Sequence, residues 1–186
     1  MTKILQGKKI AIVLAFRNFR DIEYFVPEEI LSSAGAKIFN VSSEKGTAMG
    51  DEGGEVEIDF LAKDLKVDDF NAVVFVGGAG MGLQLENEDF QQIAKRAAAL
   101  GKVLGAICIA PALLAKAGVL AGRKATVWSG PLDKDAIKIL KEEGALYQEK
   151  DVVVDKRLVT ACGPQVAEKF GQAVVGVLTS FSGRVR

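Results

Sequence analysis

The sequence predicts an α/β fold in which a mostly parallel sheet is covered by helices on both faces. Three observations point there. Segments of strand character alternate with segments of helical character along most of the chain, the order that builds βαβ units. Two of the strands, Lys9 to Ala15 (KIAIVLA) and Ala72 to Val76 (AVVFV), are apolar throughout rather than alternating, as strands buried on both faces must be. Finally, 49% hydrophobic residues among 186 are enough for one sizeable core, so a single domain over residues 1–186 is expected.

After the first strand, Phe16 to Arg20 reads as a turn. Asp21 is placed to cap a helix running to about Ala34, with Ile22, Phe25, Val26, Ile30 and Leu31 at helical spacing and Gly35 as the stop. Pro27, one turn in, predicts a kink or a later start. Lys37 to Val41 is the second strand and closes a right-handed crossover. In the polar, glycine-rich stretch that follows, Thr47 to Met49 can pair with Glu55 to Ile58 as a hairpin outside the main sheet. Asp64 to Asp69 connects to the strand Ala72 to Val76, which runs into Gly77-Gly78-Ala79-Gly80-Met81-Gly82. Glycines there let the backbone approach a ligand and present N–H groups. The run is neither a dinucleotide fingerprint opening a helix nor a P-loop, so a tight loop is expected.

A helix from Asn87 or Glu88 to Leu100 buries Phe90, Ile93, Ala94, Ala97 and Ala98, and Gly101 ends it. Val103 to Ile107 is the next strand, followed by Cys108 and a helix that Pro111 can begin. Ala125 to Trp128 reads as a short strand, Leu132 to Glu143 as a helix, and Val152 to Val154 with Leu158 to Ala161 as a hairpin across Asp155-Lys156. Gln165 to Ser180 is the closing amphipathic helix, and Ser182 to Arg186 a frayed tail.

Composition excludes several functions. Lys+Arg and Asp+Glu number 24 each, so bulk charge offers no reason to expect nucleic acid or an anionic membrane as a partner. No apolar run approaches a membrane span, and two cysteines with a polar N-terminus point to a reducing cytoplasm. Histidine is absent. That removes His-based triads, His metal ligands and imidazole proton shuttles, and no metal or organic cofactor is expected.

Ligands of such sheets bind beyond the carboxyl ends of the strands, where three features fall: the turn before Glu23, the glycine run and Cys108. At a strand-to-helix bend, Cys108 can be read as a nucleophile elbow whose thiolate is favoured by the free N–H groups of the next helix. It can equally be read as a small buried hydrophobe.

The ordered set Asp21-Ile22-Glu23, Val76-Gly77-Gly78, Ala106-Ile107-Cys108-Ile109-Ala110-Pro111 and Gly118 to Thr126 (GVLAGRKAT) resembles the DJ-1/PfpI superfamily over about residues 8–181, its PfpI-like branch in particular. The resemblance implies a flavodoxin-like three-layer sandwich and a homodimer or higher oligomer. It implies that Cys108 is the reactive elbow cysteine and that Glu23 lies against its sulfur. It also implies that Gly77, Gly78 and Ile109 present backbone N–H groups to a bound oxyanion. When protonated, such a carboxyl donates a hydrogen bond to a thiolate or an oxidised sulfur; when ionised, it opposes the thiolate.

The departures are as informative. Protease-like members carry histidine directly after the cysteine, where this chain has Ile109. Many DJ-1-like members carry one near the following short strand, where Trp128 stands, and relatives often have arginine at the place of Cys162. Trp128 is read as a pocket wall, an interface residue or core packing, Arg20 as solvated or as a holder of an anionic substrate, and Cys162 as a packed strand end or a second thiol near the site. The function expected is therefore chemistry on small reactive carbonyls, glyoxalase- or deglycase-like, through Cys108 and Glu23. The alternative is an oxidative-stress sensor or chaperone-like protein with an oxidisable Cys108. Peptidase or amidase action comes last, because no imidazole can protonate a leaving amine.

Overall fold

The computed structural model describes residues 3–182. Its strands are β1 (Lys9–Val13), β2 (Arg17–Phe19), β3 (Lys37–Ser42), β4 (Gly46–Gly50), β5 (Glu55–Ile58), β6 (Phe60–Leu61), β7 (Ala72–Phe75), β8 (Val103–Ile107), β9 (Lys124–Ala125), β10 (Leu146–Tyr147), β11 (Val152–Asp155) and β12 (Leu158–Ala161). Its helices are α1 (Asp21–Ser33), α2 (Ala79–Gly82), α3 (Glu88–Ala99), α4 (Ala110–Lys116), α5 (Asp135–Glu142) and α6 (Ala167–Ser182). The main sheet has the order β11-β12-β8-β7-β1-β3-β6. Every neighbouring pair is parallel except the β11–β12 hairpin.

The pleat of β1 divides the core in two. Ala11 and Val13 face a cluster with Phe90 and Ile93 of α3, Leu113 and Leu114 of α4 and Leu140 of α5. Ile10 and Ile12 face the opposite cluster, with Tyr24 and Leu31 of α1 and Phe170 and Val174 of α6. Alternate residues of a strand point to opposite faces, so a continuously apolar strand feeds both layers. This is the flavodoxin-like three-layer sandwich.

Several elements differ from the expectation, each for a physical reason. The turn at Phe16 to Arg20 contains β2, because the hairpin of β4 and β5 supplies its hydrogen-bond partners: Met49 N–H donates to the Phe16 carbonyl (3.0 Å) and Asp51 N–H to that of Phe19 (2.9 Å). A small sheet of order β2-β4-β5 results. The glycine run is not wholly a loop, since Ala79–Gly82 forms one helical turn. The strand expected at Ala125 to Trp128 is confined to β9, paired with β10; beyond it, Thr126 N–H turns to the Thr160 hydroxyl (3.0 Å) and Trp128 N–H to the Cys108 carbonyl (2.9 Å). Helix α5 begins at Asp135 rather than Leu132, which is fully exposed. Ala98 is exposed beside the buried stripe of α3. Of the expected tail, Ser182 ends α6 and residues 183–186 lie outside the described residues.

Helix α1 departs most. It runs through Pro27 without interruption, and its buried residues are Asp21, Glu23, Tyr24, Pro27 and Leu31, while Ile22 and Phe25 are exposed. Asp21 does not cap its own helix. Its carboxylate accepts the N–H groups of Glu52 (2.9 Å) and Gly54 (2.6 Å), so it ties the hairpin turn at 50–54 to the start of α1.

Of the two starts expected for α3, Glu88 is the first helical residue, and Asn87 caps the helix by accepting the Phe90 N–H at 3.1 Å. Asn87→Ala should lower the unfolding free energy by about 1 kcal/mol in a denaturant titration while leaving the alkylation rate of Cys108 unchanged.

Candidate active site

Strand β8 ends at Ile107, and Cys108 bends the chain into α4 with φ of 63°. A left-handed conformation costs a side-chain-bearing residue about 1–2 kcal/mol. Two backbone bonds hold it: Cys108 N–H donates to the Ala161 carbonyl (2.9 Å), and Trp128 N–H donates to the Cys108 carbonyl (2.9 Å). The bend lifts the thiol off the sheet end, as at a nucleophile elbow.

Opposite the thiol is Glu23, whose side chain is fully buried. Neither carboxyl oxygen has a partner of regular hydrogen-bond geometry. The carboxyl is fitted against Gly77: a Cβ there would lie 2.5 Å from Glu23 Oε2 and 2.6 Å from Cys108 Cβ. Only glycine lets the two side chains share that space. Gly78 serves the next step of the chain, with φ of 104° and a hypothetical Cβ 2.5 Å from Arg20 N.

Burial raises the Glu23 carboxyl from 4.5 to about 7, against the favourable influences of the Cys108 thiol, the Arg20 charge and the Gly77 N–H. Burial, followed by the charge of Glu23, pushes the Cys108 thiol up to about 12, while the N–H groups of Gly78 and Ile109 act to lower it. The helix-end effect expected from sequence is present but outweighed. The two groups are a coupled pair, which holds a single proton between sulfur and carboxyl from a pH of about 7 up to about 12. Gly77 is directed to the carboxyl, and Gly78 and Ile109 to the sulfur.

The thiol opens on a cleft of about 320 Å³ lined by Arg20, Asp51, Gly78, Ala79, Gly82, Cys108, Ile109, Trp128 and Pro164. Arg20 is held at its rim by Asp51 (2.9 Å) and Glu52 (3.5 Å), the loop that Asp21 anchors. Trp128 is a wall of this cleft and also of a second cavity of about 230 Å³. Cys162 lines that second cavity rather than the cleft; Gln165 Nε2 donates to its sulfur at 3.4 Å, and burial raises its pKa. Asp51 and Pro164 were not foreseen as cleft residues: nothing in a polar hairpin turn or a single proline signals which end of the sheet it will reach. Among the described residues, no three His, Cys, Asp or Glu side chains are grouped to hold a metal ion.

The fold and site define an α/β protein with an elbow cysteine and a buried carboxyl partner. The model of the DJ-1/PfpI family matches residues 8–176, and the chain belongs to that family. It is 33% identical over 153 residues to deglycase PfpI of Pyrococcus furiosus, covering 82% of this chain and 89% of that one. General stress protein 18 of Bacillus subtilis is 34% identical over 176 residues, 92% of this chain and 98% of the other. The solved structure of a ThiJ/PfpI domain protein from Brachyspira murdochii superposes with a TM-score of 0.87 at 34% identity, over 94% of this chain and 99% of that one.

Burial of Glu23 makes stability depend on pH. Below 4.5 the carboxyl is neutral whether the chain is folded or not; between 4.5 and about 7 only the unfolded chain gives up the proton. Stability contributed by the neutral form is therefore lost as pH rises through that window, by up to about 3 kcal/mol. Glu23→Gln should melt at higher temperature than wild type at about pH 8, and the difference should vanish below 4.5. Gly77→Ala should instead destabilise, by about 1–3 kcal/mol through overpacking, and displace Glu23 from the thiol.

Proposed function

We propose that the chain is a cofactor-independent, cytoplasmic enzyme acting on small reactive carbonyls in the glyoxalase or deglycase manner. The observation that carries this reading is the buried Glu23 carboxyl, titrating near neutrality, packed with the elbow thiol against Gly77. In the resting pair the proton sits on sulfur and Glu23 is ionised. Transfer of that proton to Glu23 creates the thiolate and a neutral acid together, with no proton drawn from solvent.

Sγ then adds to the aldehyde carbon of a 2-oxoaldehyde such as methylglyoxal. The carbonyl π pair moves to oxygen, which takes the proton from Glu23, and the N–H groups of Gly78 and Ile109 are the donors for the negative charge as it moves. Glu23, ionised again, carries the proton from the aldehyde carbon to the neighbouring carbonyl carbon while the hydroxyl proton passes from the first oxygen to the neighbouring one, leaving a thioester of a 2-hydroxy acid. Water cleaves the thioester and returns the thiol. With an amine adduct of the same aldehyde, the thiolate displaces the amine, which takes the proton. The kinship with deglycase PfpI supports this substrate class.

A second reading, an oxidant sensor, draws on the kinship with a general stress protein and on the same unpartnered carboxyl, which can donate to a sulfinate oxygen. Amide cleavage is least supported, since no histidine occurs among the 186 residues.

Turnover of methylglyoxal by the purified protein should be abolished in Cys108→Ser and fall by about 100-fold or more in Glu23→Gln; unchanged turnover in either variant would refute the proposal. Alkylation of Cys108 should rise with pH through an inflection near 7, and Glu23→Gln should remove that inflection. After mild peroxide, mass spectrometry should find oxygen on Cys108 before Cys162 if the sensor reading holds.

A further inference from the structure

The opposite end of the sheet from Cys108 carries two hollows, of about 290 and 220 Å³, that share Gly101, Lys102, Arg157 and Phe181 in their walls. Five cationic side chains line them, namely Lys8, Lys102, Arg123, Lys156 and Arg157, and among the described residues no carboxylate side chain does. In a chain whose formal charge is zero, that is a local concentration of one sign.

The hydrogen bonds of these cations leave much of the charge uncompensated. Arg157 Nη1 donates to the Gly101 carbonyl (2.9 Å) and Lys102 Nζ to the Asp68 carbonyl (2.9 Å). A neutral carbonyl satisfies the donor without cancelling its charge. Of the nearby acids, the Asp68 carboxylate takes Arg96, outside the groove, at 2.7 Å, and Asp155 takes Arg123 at 3.0 Å, which compensates that one groove cation and leaves Lys8, Lys102, Lys156 and Arg157 without an ion-paired carboxylate among the described residues. The floor, by contrast, is apolar, formed by Leu104, Leu158 and Phe181. The Arg157 guanidinium is stacked 4.0 Å over the Phe181 ring, which presents a flat cation beside an apolar surface.

We propose that this groove binds a small amphipathic organic anion, with its acid group among Lys102, Lys156 and Arg157 and its apolar body on Leu104, Leu158 and Phe181. The site is separate from the cleft at Cys108, with no lining residue in common. An inorganic anion would leave the apolar floor uncovered, and a neutral apolar molecule would desolvate the cations without replacing their water.

The probe is 8-anilinonaphthalene-1-sulfonate, a fluorescent amphipathic anion, titrated into the full chain at neutral pH. Saturable one-to-one binding is expected, weakened by at least about tenfold in Arg157→Ala, as for loss of one charge-assisted hydrogen bond. Lys156→Gln, in an exposed hairpin turn, should weaken it with melting temperature unchanged, so that misfolding is not the cause. Leu132→Ser, at a fully exposed apolar residue outside the groove, should leave binding intact. Absence of saturable binding, binding indifferent to both groove variants, or equal loss in Leu132→Ser would overturn the proposal. So would displacement by inorganic phosphate as effective as that by decanoate.

Discussion

A carboxyl group buried without a regular partner is the constraint around which this molecule is arranged. Glu23 is fully enclosed, and the space it occupies exists because Gly77 has no side chain. Removing an acid from water favours its neutral form, so burial, outweighing the Cys108 thiol, the Arg20 charge and the Gly77 N–H, brings it to about 7 and lets it give and take a proton near neutrality. In this chain, which lacks histidine, it is the group placed to exchange a proton with the elbow thiol. The cost is borne by the fold, in stability lost as Glu23 ionises.

Four parts of the chain converge to hold that arrangement. Strand β8 delivers Cys108, and α1 delivers Glu23. The turn after β7 supplies Gly77 and Gly78, with Arg20 N–H donating to the Gly77 carbonyl at 3.2 Å. The segment after β9 reaches across so that Trp128 both pins the elbow backbone and walls the cleft. Asp21 extends the same logic outward: burial opposes its ionisation, but the N–H groups of Glu52 and Gly54 more than offset this and lower its pKa. The loop it secures holds Arg20 at the rim. An acid two residues before Glu23 in sequence thus has an entirely different task, set by how many N–H groups face it.

The two ends of the sheet are electrostatically unlike. At the carboxyl ends of the strands, charge is paired or buried around a thiol; at the other end, cations line an apolar-floored groove. A net charge of zero conceals this, because composition averages over surfaces that only the fold separates.

Much of the architecture was legible from residue order. The apolar runs of β1 and β7, the start of α3 at Asn87 or Glu88 and the strand-to-helix step at Cys108 are local signals, since burial on two faces, a helix start and a proline in a first turn each depend on a few neighbouring residues. The motif order also pointed to Cys108 and Glu23. What sequence periodicity misjudged was the rotation of α1. Ile22 and Phe25 look like its buried face, yet they are exposed while Asp21 and Glu23 are buried, because hydrophobicity ranks residues singly whereas the helix is oriented by its contacts with α6, the 50–54 turn and Gly77. The same holds for β2, completed by a distant hairpin. Sequence alone determined most of the elements and singled out Cys108 and Glu23 as a pair. Only the tertiary structure decided the proton affinity of that pair, because desolvation and facing dipoles are properties of a three-dimensional enclosure that no single segment contains.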